Sequence, residues 1–83
     1  MNAVARDLKQ AGNVIRRARK NKGLSQKDLA SKVGIRQGTL SLIESGNSDS
    51  KMETVLAVLA ALELELRIAP RLKGWSEDME GMF

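Results

Sequence analysis

The 83-residue chain has neither cysteine nor histidine, and each absence closes off a class of chemistry. Without thiols there is no disulfide framework and no thiolate metal site. Without imidazole the usual general base and the commonest protein metal ligand are missing. No paired carboxylates stand in for them, so nothing resembles an active site, and neither an enzyme nor a bound cofactor or metal is expected. Long apolar runs are also lacking: the longest, Val55 to Leu62, is eight residues, against the ~20 that span a bilayer. The N-terminal stretch carries no signal-peptide h-region, and a cytoplasmic protein is the expectation. This length suits one domain, and one so small buries only about 60% of its chain surface, which leaves it marginal unless something adds to its core.

The charge that is present lies unevenly. Residues 1–43 hold ten Lys and Arg against only Asp7 and Asp28, whereas residues 44–83 hold four basic and eight acidic residues. A basic half joined to an acidic half suits a polyanion at one end and a different partner at the other. On charge alone, an ordinary solvated surface is an equal alternative.

Hydrophobic spacing and capping residues divide the chain into short helices. Asp7, answered by Gln10, marks a first helix that starts between Asp7 and Asn13, buries Ala11, Val14, Ile15 and Ala18, and ends at Gly23. Gly12 looks like a weakness in that helix, costing about 1 kcal/mol relative to Ala. Ser25 with Asp28 caps a second helix with Leu29, Ala30 and Val33 inward, and Gly34 breaks it. A third runs from about Arg36 to Ser45 with Leu40 and Ile43 inward and Gly46 as a left-handed cap. Ser50 with Glu53 marks a fourth, up to about Leu62, that carries Met52, Val55, Leu56, Leu59 and Leu62 on one side and yet also Val58. It is apolar over more of its circumference than one small core requires.

The period then changes. Leu62, Leu64, Leu66 and Ile68 alternate with Glu63, Glu65 and Arg67, and Pro70 stops the pattern. Such alternation predicts a half-buried strand. No second strand pattern exists to pair with it, so the simplest partner is the same strand of another copy, which would also cover the surplus apolar face of the fourth helix. The alternative is a last helix continuing through Arg67.

Two short helices around a turn at Gly34 have the spacing of a helix-turn-helix, whose second helix enters the major groove by its N-terminal end. The residues there suit the task. Arg36 forks onto guanine, Gln37 onto adenine, Thr39 and Ser41 are short hydrogen-bonding groups, and Gly38 permits close approach.

Residues 15–46, IRRARKNKGLSQKDLASKVGIRQGTLSLIESG, resemble the helix-turn-helix of the phage-repressor or XRE family. The most telling matches are Leu24-Ser25-Gln26, Leu29-Ala30, Val33-Gly34 and Ile43-Glu44-Ser45-Gly46, and the likeness covers about fifty residues. The resemblance implies a mainly α, four-helix, lambda-repressor-like domain over residues 1–73, followed by an acidic and aromatic tail, 74–83. It also implies DNA-binding roles. Gln26 would meet a phosphate, Arg36, Gln37, Thr39 and Ser41 would face bases or nearby phosphates, and backbone amides around Ser45 and Asn47 would hold the next phosphate. Arg19 matches an arginine that pairs in the family with the residue aligned with Glu44. Two departures stand out: Leu42 occupies a position that is polar in some relatives, and the loop GNSDSK carries Asp49.

The strand directly after the fourth helix resembles, more narrowly, the HipB-type antitoxins. That likeness implies a homodimer joined by a two-stranded sheet from Leu64, Leu66 and Ile68, autorepression at a palindromic double-stranded operator, and a kinase-like toxin as partner. The tail, with Trp75, Met79, Met82 and Phe83 among acids, reads either as a disordered end or as a linear motif with aromatic anchors. The alternative function is a stand-alone phage-repressor-like or restriction-modification regulator without a toxin. An adaptor that has lost DNA binding fits poorly with Gln26, Arg36 and Gln37.

Overall fold

The computed structural model describes residues 3–47 and 49–71, and the expected tail motif around Trp75 lies outside them. Four helices follow one another: α1 (Leu8–Asn21), α2 (Gln26–Val33), α3 (Gln37–Ser45) and α4 (Met52–Ala61). Their starts follow from local chemistry. The Asp7 carboxylate accepts from the Gln10 amide at 2.7 Å, and the Gln10 side chain reaches back to the Arg6 amide at the same distance. At α2 the reciprocal box forms, Asp28 amide to Ser25 hydroxyl at 2.9 Å and Ser25 amide to Asp28 carboxylate at 3.1 Å. Each satisfies backbone donors that the first helical turn leaves without a partner.

The other two starts differ from expectation. Arg36 caps α3 from outside rather than opening it, and Lys51, not Ser50, holds the cap position of α4; neither receives a side-chain cap. The Lys51 carbonyl already accepts from the Thr54 and Val55 amides, so the helix begins one residue later than the Ser50–Glu53 spacing requires.

Ile15, Ala18, Leu29, Ala30, Leu40, Ile43, Val58 and Leu62 form the buried core, with Leu24, Val33, Ile35, Leu59, Ala61 and Leu64 packed around it. On α4 the inward residue is Val58, fully buried, whereas Met52 and Leu56 face solvent. A helix apolar over most of its circumference gives its spacing no single face to read, and packing turned Val58 inward together with the expected Val55, Leu59 and Leu62 while leaving out Met52 and Leu56.

Gly12 is a contact rather than a weakness. It is buried, and a Cβ there would lie 2.6 Å from the Ile43 carbonyl oxygen and closer still to that of Glu44. The α1 backbone therefore lies directly on the end of α3. Gly46 completes that contact from the other side: its φ is +78°, and a Cβ would stand 2.6 Å from the Lys9 Cα.

Among the described residues no strand forms, and the helical alternative through Arg67 fails as well. Glu63 takes the left-handed conformation (φ 59°), its amide bonds the Ala60 carbonyl at 3.0 Å, and the Leu64 amide returns to the Leu59 carbonyl at 2.8 Å. This is the double-bonded helix ending usually made with glycine. Leu64, half-buried, packs back on the core; beyond it Leu66 and Ile68 are exposed, Ile68 by 93%. No described helix is long and apolar enough to cross a membrane.

Candidate nucleic-acid interface

The surface that could meet DNA is built by the α2–turn–α3 unit. Gly34 ends α2 in the left-handed conformation, and its amide and that of Ile35 both return to the Ala30 carbonyl at 2.8 and 2.9 Å. The chain thus turns sharply, Ile35 packs on the core, and the start of α3 projects outward. Arg36, Gln37, Gly38 and Ser41 are exposed there and Thr39 is half-buried. Leu42 is 52% exposed on the outer side of α3. An exposed helix start bearing Arg, Gln and short hydroxyl residues can lie in a major groove with its forked donors aimed at base edges.

Behind that surface sits a charged network that holds the three helices in register. The Arg19 guanidinium grips Glu44 with two bonds, Nε to Oε2 at 2.7 Å and Nη2 to Oε1 at 3.0 Å, and sends Nη1 to the Leu24 carbonyl at 2.8 Å. The two side chains are 9% and 3% exposed. Two parallel N–H donors match a carboxylate's two oxygens, which makes this the strongest form of ion pair. The Gln26 amide nitrogen also donates to Glu44 Oε1 at 3.1 Å. Sequence reasoning missed this bond. It ties the first residue of α2 to the end of α3, leaving the second amide hydrogen of Gln26 for an outside acceptor.

The end of α3 closes on itself. The Gly46 amide returns to the Ile43 carbonyl and the Asn47 amide to Leu42, both at 3.2 Å, while the Ser45 hydroxyl bonds the Leu42 carbonyl at 2.9 Å. The Gly46 and Asn47 amides are therefore occupied by the helix ending itself. The exposed Asn47 side chain stands beside this turn.

Two exposed carboxylates have pKa values held below their ordinary ones. Asp28 is lowered first by the Ser25 backbone amide and then by the Ser25 hydroxyl. Glu63 is lowered by the Lys22 ammonium, which bonds it at 2.8 Å and so links the end of α1 to the turn after α4. Neither spacing suggested the Lys22–Glu63 pair, since the residues lie 41 positions apart.

Four short helices with an exposed α2–turn–α3 corner define a DNA-binding helix-turn-helix protein. The comparison with known proteins agrees: residues 15–68 match the family described as HTH_3, helix-turn-helix. The chain belongs to this family, of XRE type. It is 30% identical over 71 residues, 86% of this chain and 81% of the relative, to Antitoxin HipB of Escherichia coli strain K12. Its fold matches a chain from a HipA–HipB–O2–O3 complex at a TM-score of 0.74 with 28% identity, covering 83% of this chain and 97% of that one. A chain from a HipB–O4 20mer complex matches at 0.75, again with 28% identity and coverage of 83% and 97%. These relatives are helix-turn-helix proteins rather than enzymes.

Proposed function

We propose that this chain is an antitoxin and autorepressor: a homodimer that binds a palindromic operator of its own operon and holds a kinase-like toxin. The observation that carries this reading is the exposed start of α3, with Arg36, Gln37 and Ser41, set on a backbone that matches HipB chains at TM-scores of 0.74 and 0.75. In this reading Arg36 and Gln37 meet base edges, with Thr39 and Ser41 on bases or nearby phosphates. Gln26 and Asn47 position the helix on phosphates, Ser45 shapes the turn beside them, and Leu42 meets a thymine methyl or packs at the dimer side.

What the single chain leaves uncovered supports the dimer. Leu56, Leu66 and Ile68 are 42%, 54% and 93% exposed, an apolar surface that a second copy would bury. Residues 64–68 would pair antiparallel with the same segment. Because Glu63 belongs to the helix ending, the pairing centres on Leu66 opposite its own copy. Leu64 then faces Ile68 of the partner subunit, and Glu65 faces Arg67 of the partner subunit. Within one chain Glu65 and Arg67 already bond at 3.0 Å, and pairing would exchange that exposed contact for a cross-strand one.

The test is to co-express the chain with the product of the neighbouring reading frame and to titrate the purified material against DNA from upstream of its gene. Co-elution with a kinase-like product and nanomolar upstream binding are the expected result. Upstream binding without any such product makes the chain a stand-alone regulator. Binding neither overturns the reading.

A further inference from the structure

The exposed face of α1 carries a charge pattern that the α2–α3 surface does not absorb. Helix α1 contains no acidic residue, and Lys9, Asn13, Arg16 and Lys20 recur at intervals of four, three and four residues. At about 100° per residue they form one continuous stripe along the helix. All four are exposed. Among the described residues, the ion pairs are Arg19–Glu44, Lys22–Glu63 and Arg67–Glu65, so no acid neutralises the stripe.

Its position is set by the glycine contacts. Gly46 meets the Lys9 backbone, so Lys9 stands beside the turn that presents Asn47. At the other end, Arg19 bonds the Leu24 carbonyl and the chain turns directly into α2 and Gln26. The stripe therefore runs along the flank of α1 from one expected phosphate contact to the other. Arg17 is also exposed, but it lies about 70° beyond the centre of the stripe on the side away from α3, next to Asn13 at the stripe's outer edge.

We propose that Lys9, Asn13, Arg16 and Lys20 form a second, sequence-independent DNA contact that takes the phosphate backbone flanking each half-site on the same duplex. Two features select DNA over an acidic protein. The stripe begins beside the turn at the end of α3, where Gly46 meets the Lys9 backbone, and none of its four residues is an apolar or aromatic side chain that could anchor a protein interface. Cationic and amide donors without anchors are what backbone contacts use. The inference rests on the DNA-binding reading, and its test separates the two.

The operator, selected from a random-sequence duplex library, is presented in one duplex that ends at its outermost specified base pair and in another extended by about eight base pairs on each side. R16Q/K20Q is compared with the unmodified protein and with R17Q on both duplexes across a salt series. Each phosphate that the protein no longer neutralises takes about 0.9 off the log–log salt slope. With two cations removed from each subunit the dimer's slope flattens by about 3–4, roughly a hundredfold less affinity change between about 50 and 200 mM salt. The expected result is that R16Q/K20Q shows this loss on the extended duplex only, with R17Q close to unmodified protein on both. R16Q/K20Q matching the unmodified protein on both duplexes overturns the stripe and leaves the DNA reading standing. An equal loss on both confines the residues to the half-site and overturns the flanking contact. Normal DNA binding combined with loss of a co-purifying protein reassigns the stripe to that protein. If the unmodified protein selects no operator at all, the DNA reading itself fails, and this proposal with it.

Discussion

Removing either partner of the Arg19–Glu44 pair should take away a large share of the domain's stability, whereas removing both should cost far less. In Arg19→Met the Glu44 carboxylate, 3% exposed, keeps only the Gln26 amide as a partner. A buried charge stripped of its counter-ion costs about 3–5 kcal/mol. A chain of this length holds roughly 4–12 kcal/mol in total, so the single variant forfeits a large share of it. Replacing both, as Arg19→Met with Glu44→Leu, removes the stranded charge and leaves two smaller costs. The Leu24 carbonyl loses its 2.8 Å donor, and the half-buried Gln26 amide turns to water. Together these cost about 1–2 kcal/mol, so the double variant should be the more stable of the two. Urea denaturation followed by circular dichroism measures all four members of the cycle. Single-variant losses below about 1 kcal/mol that simply add in the double would refute the reasoning, because they would mean that water already screens the pair.

Four further outcomes are expected. Gly12→Ala should lower stability by about 1–3 kcal/mol despite alanine's better helix propensity, because the new methyl meets the Ile43 and Glu44 carbonyls; a thermal melt reads it. Gln37→Ala should cost about 1–3 kcal/mol and relax preference at one base pair per half-site, whereas Gln26→Ala should weaken all sequences alike in the same binding assay. Asp28 has a lowered folded pKa, so its capping contribution is complete above its ordinary value of 3.8 and is lost as pH falls through the lower folded value; acid titration of unfolding should show a shallower acid limb in Asp28→Asn. Leu66→Pro should sediment as a monomer and lose operator affinity with the α3 surface untouched, and a variant that stays dimeric would move the interface to α4.

Much of this architecture was legible because the signals were local. A capping residue speaks only to donors three positions away, so Ser25–Asp28 marked α2 without knowledge of the rest of the fold. Gly23, Gly34 and Gly46 all sit at helix ends with positive φ, and each is punctuation that the sequence displays openly. The exposed start of α3 followed from the same logic, since Leu40 and Ile43 fix which face turns inward and leave Gly38 and Ser41 outside, while Gln37 is exposed as the first residue of the projecting turn. Contacts across the fold were less visible. Gly12 looks the same in sequence whether it weakens a helix or admits a carbonyl from another one. The Gln26–Glu44 bond depends on where α3 ends relative to α2, which no spacing within either helix records.

The segment after α4 shows how one stretch can support two periodicities until a single backbone conformation decides. Leu59, Leu62 and Leu66 fit helical spacing, while Leu62, Leu64, Leu66 and Ile68 fit a strand. Continuing the helix would carry Glu63 onward in the ordinary right-handed conformation. Adopting φ 59° instead lets the Leu64 amide reach the Leu59 carbonyl and brings the Leu64 side chain back onto the core. Half-burying a leucine side chain contributes about 1–1.5 kcal/mol, comparable to the roughly 1–2 kcal/mol that a left-handed non-glycine residue typically costs, and the two returning hydrogen bonds of the helix ending add to it. Lys22 then holds Glu63 in place from the end of α1. Nothing local announces that outcome, because glycine is the usual residue at this position and glutamate carries no such signal. The same turn releases residues 65–68 from the helix with Leu66 and Ile68 uncovered, the condition that a pairing strand from a second chain requires.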